Sequence, residues 1–382
     1  MNNAFDKGSI FVLQSVVSEK AKEYVKKVMD SNWIGLGKMV AEFEEKFADY
    51  CGAKYCIGLN SATAAIHLSL ISAKKFVSKI LTTPITFVSV NNCILQVDSF
   101  PCFCDVNPVT GNVNLETIRD NIDFQCNTGI IFTHYAGNLI DKETIGYARN
   151  MLGTDNVIND YSHCAGAKYN DQSIINTNYN VFSFHAVKNI SSPDGGAIVT
   201  NNKEIYERLK KLRWCGIDKS TFDRQIDGYN WRYNVDELGY KYHMNDITAA
   251  FVLANLEDLD ENNKYRLSIM KKYFNGLHSS INMIPFTDGS SGHLAVIKVP
   301  ERISRDKVIE LLAKNNIFCG VHYMPNNHYS LFKDYKFSTP NADLFFERII
   351  TLPCHLGLKD SDVDRVINTL NEIIIGMLKE TE

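Results

Sequence analysis

A chain of 382 residues, 45% hydrophobic and 22% charged with a formal net charge of −4, has an ordinary soluble composition with room for one large core and a smaller second one. Its near-balanced charge, without a basic block, leaves no footprint for nucleic acid, and no run approaches the roughly 20 apolar residues that span a bilayer. The opening MNNAFDKGSIFVLQSVVSEK lacks the basic-then-apolar order of a signal peptide, so a cytoplasmic protein is expected. Ten cysteines are scattered from Cys51 to Cys354 with no Cys-x-x-Cys pair; metal sites use short paired spacings and cytosolic thiols stay reduced, so ordinary thiols and no metal are expected.

In chain order, MVAEFEEKFADYCG sets Val40, Phe43 and Phe47 at helical spacing and stops on a glycine. KYCIGLNSATAAIHLSLISA reads as a short strand, a polar turn and a helix. The apolar runs KILTTPITFV, FPCFCDV, GIIFTHYAG and NVIND alternate with helical patterns such as DKETIGYARNML. That alternation predicts an α/β fold, a largely parallel sheet covered on both faces. NDITAAFVLANLEDLDENNKYRLSIMKKYFNGL reads as one long helix with room for a kink, capped near Asn245 or Asp246, and its apolar stripe breaks after Leu259. Beyond it HLAVIKV, DKVIELLAKNN, the strand-like IFCGVHY and a last helix in DSDVDRVINTLNEIIIGML suggest a small α/β unit. The expected division is 1–255 for a large domain and 256–382 for a smaller C-terminal one.

Three places carry residues suited to chemistry. In LNSATAAIH, small residues enter a helix after a strand, exposing backbone N–H groups and a hydroxyl at its positive end. That suits a phosphate, or simple capping by Ser61 or Thr63. NVINDYSHCAGAKY closes a strand on Asp160 and places His163 three residues on. A carboxylate at a strand's C-terminal end lies where such sheets bind ligands, unless it only forms a turn. VFSFHAVKNISSPDGGAIVT puts Lys188 between two apolar runs, past Ser183-Phe184-His185. A solvated lysine is the plain reading; a desolvated one attacks carbonyls as an imine-forming nucleophile. Taken together, an imine lysine, a phosphate cradle and a buried carboxylate are what pyridoxal phosphate requires.

With those residues in place, the sequence resembles the DegT-type (DegT/DnrJ/StrS) sugar aminotransferases, fold type I pyridoxal phosphate enzymes, from about Trp33 to about Leu358. The blocks WIGLGKMVAEFEEKFADYCG, NSATAAIHLSL, TTPITFVSVNN, DVNPVTGNVN, THYAGN, VINDYSHCAGAKY, SFHAVKNISSPDGGAIVT and GYKYHMNDITAA carry the resemblance in the family's order. It implies Lys188 as the catalytic imine lysine, Asp160 as partner of the pyridinium nitrogen and His163 beside the cofactor ring. It further implies Phe87 stacked on that ring, and Ala62, Thr63 and Ser183 on the phosphate. The implied activity is amino transfer, by analogy from L-glutamate, to a nucleotide-linked 4-keto-6-deoxysugar for surface polysaccharide. A smaller phosphorylated ketone and a non-catalytic, cofactor-binding regulatory relative are the alternatives. The family's dehydratases carry histidine at the imine position, which Lys188 argues against.

Two departures matter. Many members read Gly-Tyr-Asn-Tyr-Arg where this chain has Gly239-Tyr240-Lys241-Tyr242-His243; the family asparagine reaches the partner subunit's phosphate, and Lys241 is expected to do so here. Some members that aminate C4 of a nucleotide-linked ketosugar also carry lysine at this position. The acidic pair often found before TTP is replaced by Ser78-Lys79-Ile80, a change expected at the surface. A homodimer with shared sites is expected, GYKYHMND crossing between subunits. The polar segment 219–237 before it, with Tyr229, Trp231 and Tyr233, suits an interface or a loop over a pocket.

Overall fold

The computed structural model describes residues 8–73, 79–121, 127–153, 156–170, 174–218, 231–335 and 337–380. The strands of these residues, in chain order, are β1 (Ile10–Phe11), β2 (Tyr55–Leu59), β3 (Lys79–Thr82), β4 (Phe100–Phe103), β5 (Asn127–Thr133), β6 (Val157–Asp160), β7 (Tyr179–Ser183), β8 (Gly196–Thr200), β9 (Asn282–Met283), β10 (Ala295–Lys298), β11 (Ile317–Phe318) and β12 (Ile349–Leu352). Among them β2-β8-β7-β6-β5-β3-β4 form one sheet. Neighbours from β4 to β7 are parallel, and β8 is antiparallel to both β7 and β2. The sheet is thus largely parallel, as the alternating pattern predicts, with β8 reversed.

Helices cover it. Lys38–Cys51 buries Val40, Phe43 and Phe47 and ends at Gly52 in the left-handed region (φ 65°), where glycine carries no Cβ penalty. Ala62–Ala73 is buried over most of its surface, from Ala64 to Leu70, which explains why its sequence is apolar almost all round. Asn245 caps the helix Asp246–Leu256, its side chain accepting from the Thr248 N–H.

The stretch read as one long helix is two, Asp246–Leu256 and Leu259–Gly276. Asp258 leaves helical geometry (φ −106°, ψ 7°), and the charges at the break bind elsewhere. Tyr24 Oη donates to Glu257 at 2.6 Å and Lys20 Nζ to Asp258 at 2.8 Å. Likewise the strand-like IFCGVHY is a strand only over Ile317–Phe318.

The C-terminal part builds its own core around the antiparallel sheet β12-β10-β9, with Met270, Tyr273, Val308, Leu312, Val366 and Leu370 fully buried. β1 pairs in parallel with β11, so Ile10 packs into that core. We propose to divide the chain near residue 255, at the break between the two helices, with β1 returning to the C-terminal side. No helix among the described residues is long and apolar enough to cross a membrane.

Candidate active site

Sheet register brings the chemistry to one edge. Thr133 pairs with Asp160, Asp160 with Val181 and Ser183 with Gly196, while Leu59 pairs with Gly196 from the other side. The C-terminal ends of β5, β6 and β7 therefore align with the turn Asn60-Ser61 that opens the helix Ala62–Ala73. That edge is where parallel sheets hold ligands. The cradle is tight: a Cβ on Gly196 would lie 2.4 Å from the Ala62 nitrogen and 2.6 Å from the Ser61 oxygen. Only glycine lets β8 pass so close beneath the helix end. Ser61 Oγ accepts from the Ala64 N–H at 3.1 Å, so the capping reading of this turn is realised by Ser61, while Ala62 and Thr63 stay half-buried at the helix mouth. Ser183 is buried at the end of β7.

Lys188 sits in a loop closed by backbone bonds: Phe184 N donates to Gly195 O, Ser192 N to Phe184 O, and Lys188 N to His185 O at 2.8 Å. Its residue is only half-buried, but its ammonium is desolvated, which brings its pKa down to about 8 against the raising pull of Asp160 and Cys164. The ammonium forms no ion pair among the described residues. Asp160 is buried, and burial raises its pKa, opposed by hydrogen bonds from Ser162 and by Lys188. Ser162 N donates to Asp160 Oδ1 at 3.0 Å and Ser162 Oγ to the same atom at 2.5 Å. Oδ2 has no partner among the described residues, so a carboxylate oxygen is left for a ligand.

His163 is buried beside them. Ala136 N donates to its Nδ1 at 3.3 Å, so Nε2 carries the proton and faces Tyr323 Oη at 3.1 Å. Burial, then Lys188 and His322, hold its pKa well below the usual histidine range, and the ring stays neutral. On one side it meets the His293 ring at 4.5 Å; Tyr323 lies nearly parallel to it at 6.1 Å. Phe87, at 58% exposed, is no core residue; its ring lies 6.3 Å from Tyr323, on the rim. Asn326 ties these segments, its N–H donating to Pro84 O and its side chain to Thr86 O, both at 2.9 Å.

Tyr323, His322, His293 and Asn189 were not singled out from the sequence. His293 and Tyr323 stand in HLAVIKV and IFCGVHY, runs whose apolar pattern reads as core strand. The signal available was a polar ring at the end of each run, where a strand meets a sheet edge.

Lys241 is exposed, its ammonium over the Trp214 ring at 3.4 Å. Its backbone lies close to the cradle: Asn60 N donates to Tyr242 O at 2.8 Å and Asn60 Nδ2 to Lys241 O at 3.5 Å. The structure thus groups Lys188, Asp160, His163 and Ser183 with the Ala62-Thr63 helix mouth, sets Phe87 at the rim, and holds the Lys241 ammonium over Trp214. Trp231 and Tyr233 are exposed; Tyr229 and most of the polar segment lie outside the described residues. A cleft of about 1000 Å³ bordered by Asn107, Asp141, Lys168 and Asp288 contains none of these residues.

The donor set fits pyridoxal phosphate: a desolvated amine without an ion pair and a buried carboxylate with one oxygen unbonded among the described residues, a neutral ring, and a helix mouth whose floor a single Cβ would fill. The DegT/DnrJ/EryC1/StrS aminotransferase family profile matches residues 16–371. The chain belongs to this family. A Methanocaldococcus jannaschii protein described as uncharacterized, MJ1066, is 34% identical over 370 residues, covering 92% of this chain and 95% of that protein. Among solved structures, the putative sugar aminotransferase Spr1654 from Streptococcus pneumoniae in its PMP form superposes with a TM-score of 0.89 at 26% identity, over 96% of this chain and 99% of that one. Its PLP form gives 0.88. Helicobacter pylori PseC, an aminotransferase involved in the biosynthesis of pseudoaminic acid, gives 0.88 at 26% identity over 96% of this chain and 100% of its own. The protein is a fold type I, pyridoxal phosphate-dependent aminotransferase.

Proposed function

We propose that this aminotransferase moves the amino group of L-glutamate to a keto sugar, a nucleotide-linked 4-keto-6-deoxysugar made for surface polysaccharide. The observation that carries the site is the convergence of Lys188, Asp160 and His163 beside the helix mouth. What supports a sugar acceptor is the likeness to PseC and Spr1654; Lys241 supports amination at C4 by resemblance.

Pyridoxal phosphate supplies the electron sink that makes an amino acid's α-proton acidic. The chain's residues do the rest. Lys188 is the catalytic residue: with a pKa of about 8 its amine is partly neutral near physiological pH and accepts and returns that proton. Asp160 would hold a proton on the ring nitrogen through Oδ2, and Ser162 fixes the carboxylate's orientation through Oδ1. His163, neutral, offers a ring face without adding a competing positive charge. The N–H groups at Ala62 and Thr63, with the Ser183 hydroxyl, receive the phosphate. Phe87, exposed beside Tyr323, would cover the ring from the rim.

Incubating the protein with glutamate and a panel of ketosugar nucleotides and keto phosphates tests the acceptor. The expected result is 2-oxoglutarate in excess over the enzyme only with a 4-keto sugar nucleotide, since glutamate alone yields at most one equivalent per site; sustained turnover with a keto phosphate alone would overturn the reading. We further propose a homodimer in which Lys241 crosses to the partner's phosphate. Lys241→Ala should then weaken cofactor binding, and mixing it with Lys188→Ala should restore part of the activity, because one hybrid site receives both intact groups. An active monomer by light scattering, or no recovery in verified heterodimers, removes the shared site.

A further inference from the structure

We propose that Asn189 is a positioning residue: its one amide holds the Lys188 loop against the His163 segment and keeps His293 in its Nδ1–H form. This rests on reading Lys188 as the catalytic lysine. Asn189 is buried. Its Nδ2 donates to Asn263 Oδ1 at 2.7 Å and to the Ser291 carbonyl at 2.8 Å. A carbonyl only accepts, so the amide cannot be flipped, and both of its hydrogens are used. Its Oδ1 then faces His293 Nδ1 at 2.8 Å and must accept. His293 Nδ1 therefore carries the proton, and Nε2 is bare.

Each of these bonds leads back to the segment around His163. Asn263 Nδ2 donates to Ala165 O at 2.9 Å. Ser291 Oγ donates to His163 O at 2.5 Å. The His293 ring packs on the His163 ring at 4.5 Å. Three separate routes thus connect the residue after Lys188 with the segment 163–165, and all three pass through one side chain. Space is tight here as well: Gly166 is at φ 81°, and a Cβ there would lie 2.4 Å from Asn263 Nδ2. The helix Leu259–Gly276, the loop 289–293 and the Lys188 loop are locked at this amide.

The charges facing these groups come from every side. Burial holds the His293 pKa well below its usual range, reinforced by His163, Lys188, Arg266 and His322. Lys188 faces Asp160 and Cys164. Loosening the Lys188 loop admits water to its ammonium and moves its pKa upward, toward the ordinary lysine value. A carboxylate at position 189 moves it the same way and gives His293 a partner for a positive charge.

The test uses the cofactor-free protein, so that it reads geometry rather than turnover. The pH dependence of Lys188 labelling by an amine-reactive reagent, followed by mass spectrometry, gives a midpoint near 8 in the wild type. In Asn189→Asp and in His293→Leu it should rise by about one pH unit. In His293→Asn, which keeps a donor where Nδ1 was, it should return to the wild-type value. Nitrogen NMR should show His293 neutral and Nδ1-protonated in the wild type, and cationic near neutral pH in Asn189→Asp. In the loaded enzyme kcat should fall about 100-fold with the KM for the donor little changed. A folded Asn189→Asp protein with the wild-type Lys188 midpoint and a neutral His293 overturns the proposal. If that variant does not fold, the histidine pair decides, and equal midpoints in His293→Leu and His293→Asn overturn it. Normal turnover by Lys188→Ala would instead sink the catalytic reading, leaving the labelling result to stand or fall separately.

Discussion

On the cradle side of the site, Asn60 to Thr63, Ser183 and Gly196 lie at strand ends and are held by sheet register and backbone contact. On the histidine side, His163, Asn189, His293 and Tyr323 come from separate segments and meet through side-chain hydrogen bonds and ring contacts, His163 and Tyr323 across 160 positions. The first wall can be changed only by moving backbone. The second can be changed one bond at a time, which makes it the wall whose geometry a substitution can tune. Lys188 stands between them, its loop closed by backbone bonds on one side and anchored by Asn189 on the other.

Removing the group both walls serve should give the largest effect. Lys188→Ala should lower transamination by on the order of 10⁴-fold while leaving the thermal melt of the protein close to wild type, since no ion pair is lost. Arginine should not substitute, because a guanidinium does not form the imine. Near wild-type turnover without added amines would dismiss Lys188, and with it the comparison of two walls around one reacting group.

Next comes the carboxylate at the floor. Asp160→Asn keeps the shape but cannot match a positive charge on the ring nitrogen. The loss should be roughly 3 kcal/mol, read as weaker cofactor binding and a rate about 100-fold lower at saturating cofactor. An unchanged rate there would remove Asp160 from the site. The Ser162 bonds to Oδ1 predict that the orientation survives and that charge alone is lost.

The difference between the walls also explains what was legible in the sequence. The cradle is written locally: a strand, a small polar turn and a helix start lie within ten residues, and Gly195-Gly196 opens the strand beside them. Asp160 and Lys188 could be placed because each follows an apolar run that ends where ligands bind. Grouping them into one cofactor site needed the family resemblance, since spacing alone says nothing of which strand ends are neighbours. His293, Tyr323 and Asn189 were hidden for a physical reason. Their contacts are long-range, and a histidine or tyrosine closing an apolar run has the same pattern whether it is core or site. The broken helix had its signal in the charges at Glu257 and Asp258, but the partners that take them, Lys20 and Tyr24, lie far away in the chain.

A smaller effect separates the walls directly. Gly196→Ala pushes a methyl against the Ala62 nitrogen and the Ser61 carbonyl, backbone atoms that cannot rotate aside. Overpacking of this kind costs about 2 kcal/mol, to be read in denaturant melts of the cofactor-free protein together with a weaker cofactor titration. Unchanged stability and affinity would mean that the helix mouth yields and that the cradle is not held by backbone contact.

The smallest effect is a pH dependence, and it belongs to the desolvation of Lys188. In the unfolded chain the lysine titrates at its ordinary 10.5; in the folded protein burial brings this down to about 8. Between those values the unfolded state binds more protons, so stability rises with pH through this window. Below about pH 8 the native protein carries a poorly solvated ammonium and bears its full cost. Replacing Lys188 by methionine removes that cost, so the cofactor-free variant should be more stable than the wild type at pH 7, by about 1 kcal/mol once solvent screening of a half-buried group is allowed for. The gap should narrow from pH 8 upward and be gone near pH 10.5. Cys164 titrates in the unfolded state over the same range, but it does so in both proteins and cancels from the difference. Paired denaturant melts across pH 7 to 10.5 give the curve. A constant gap would mean that Lys188 is as well hydrated in the fold as in the unfolded chain, and that neither wall desolvates it.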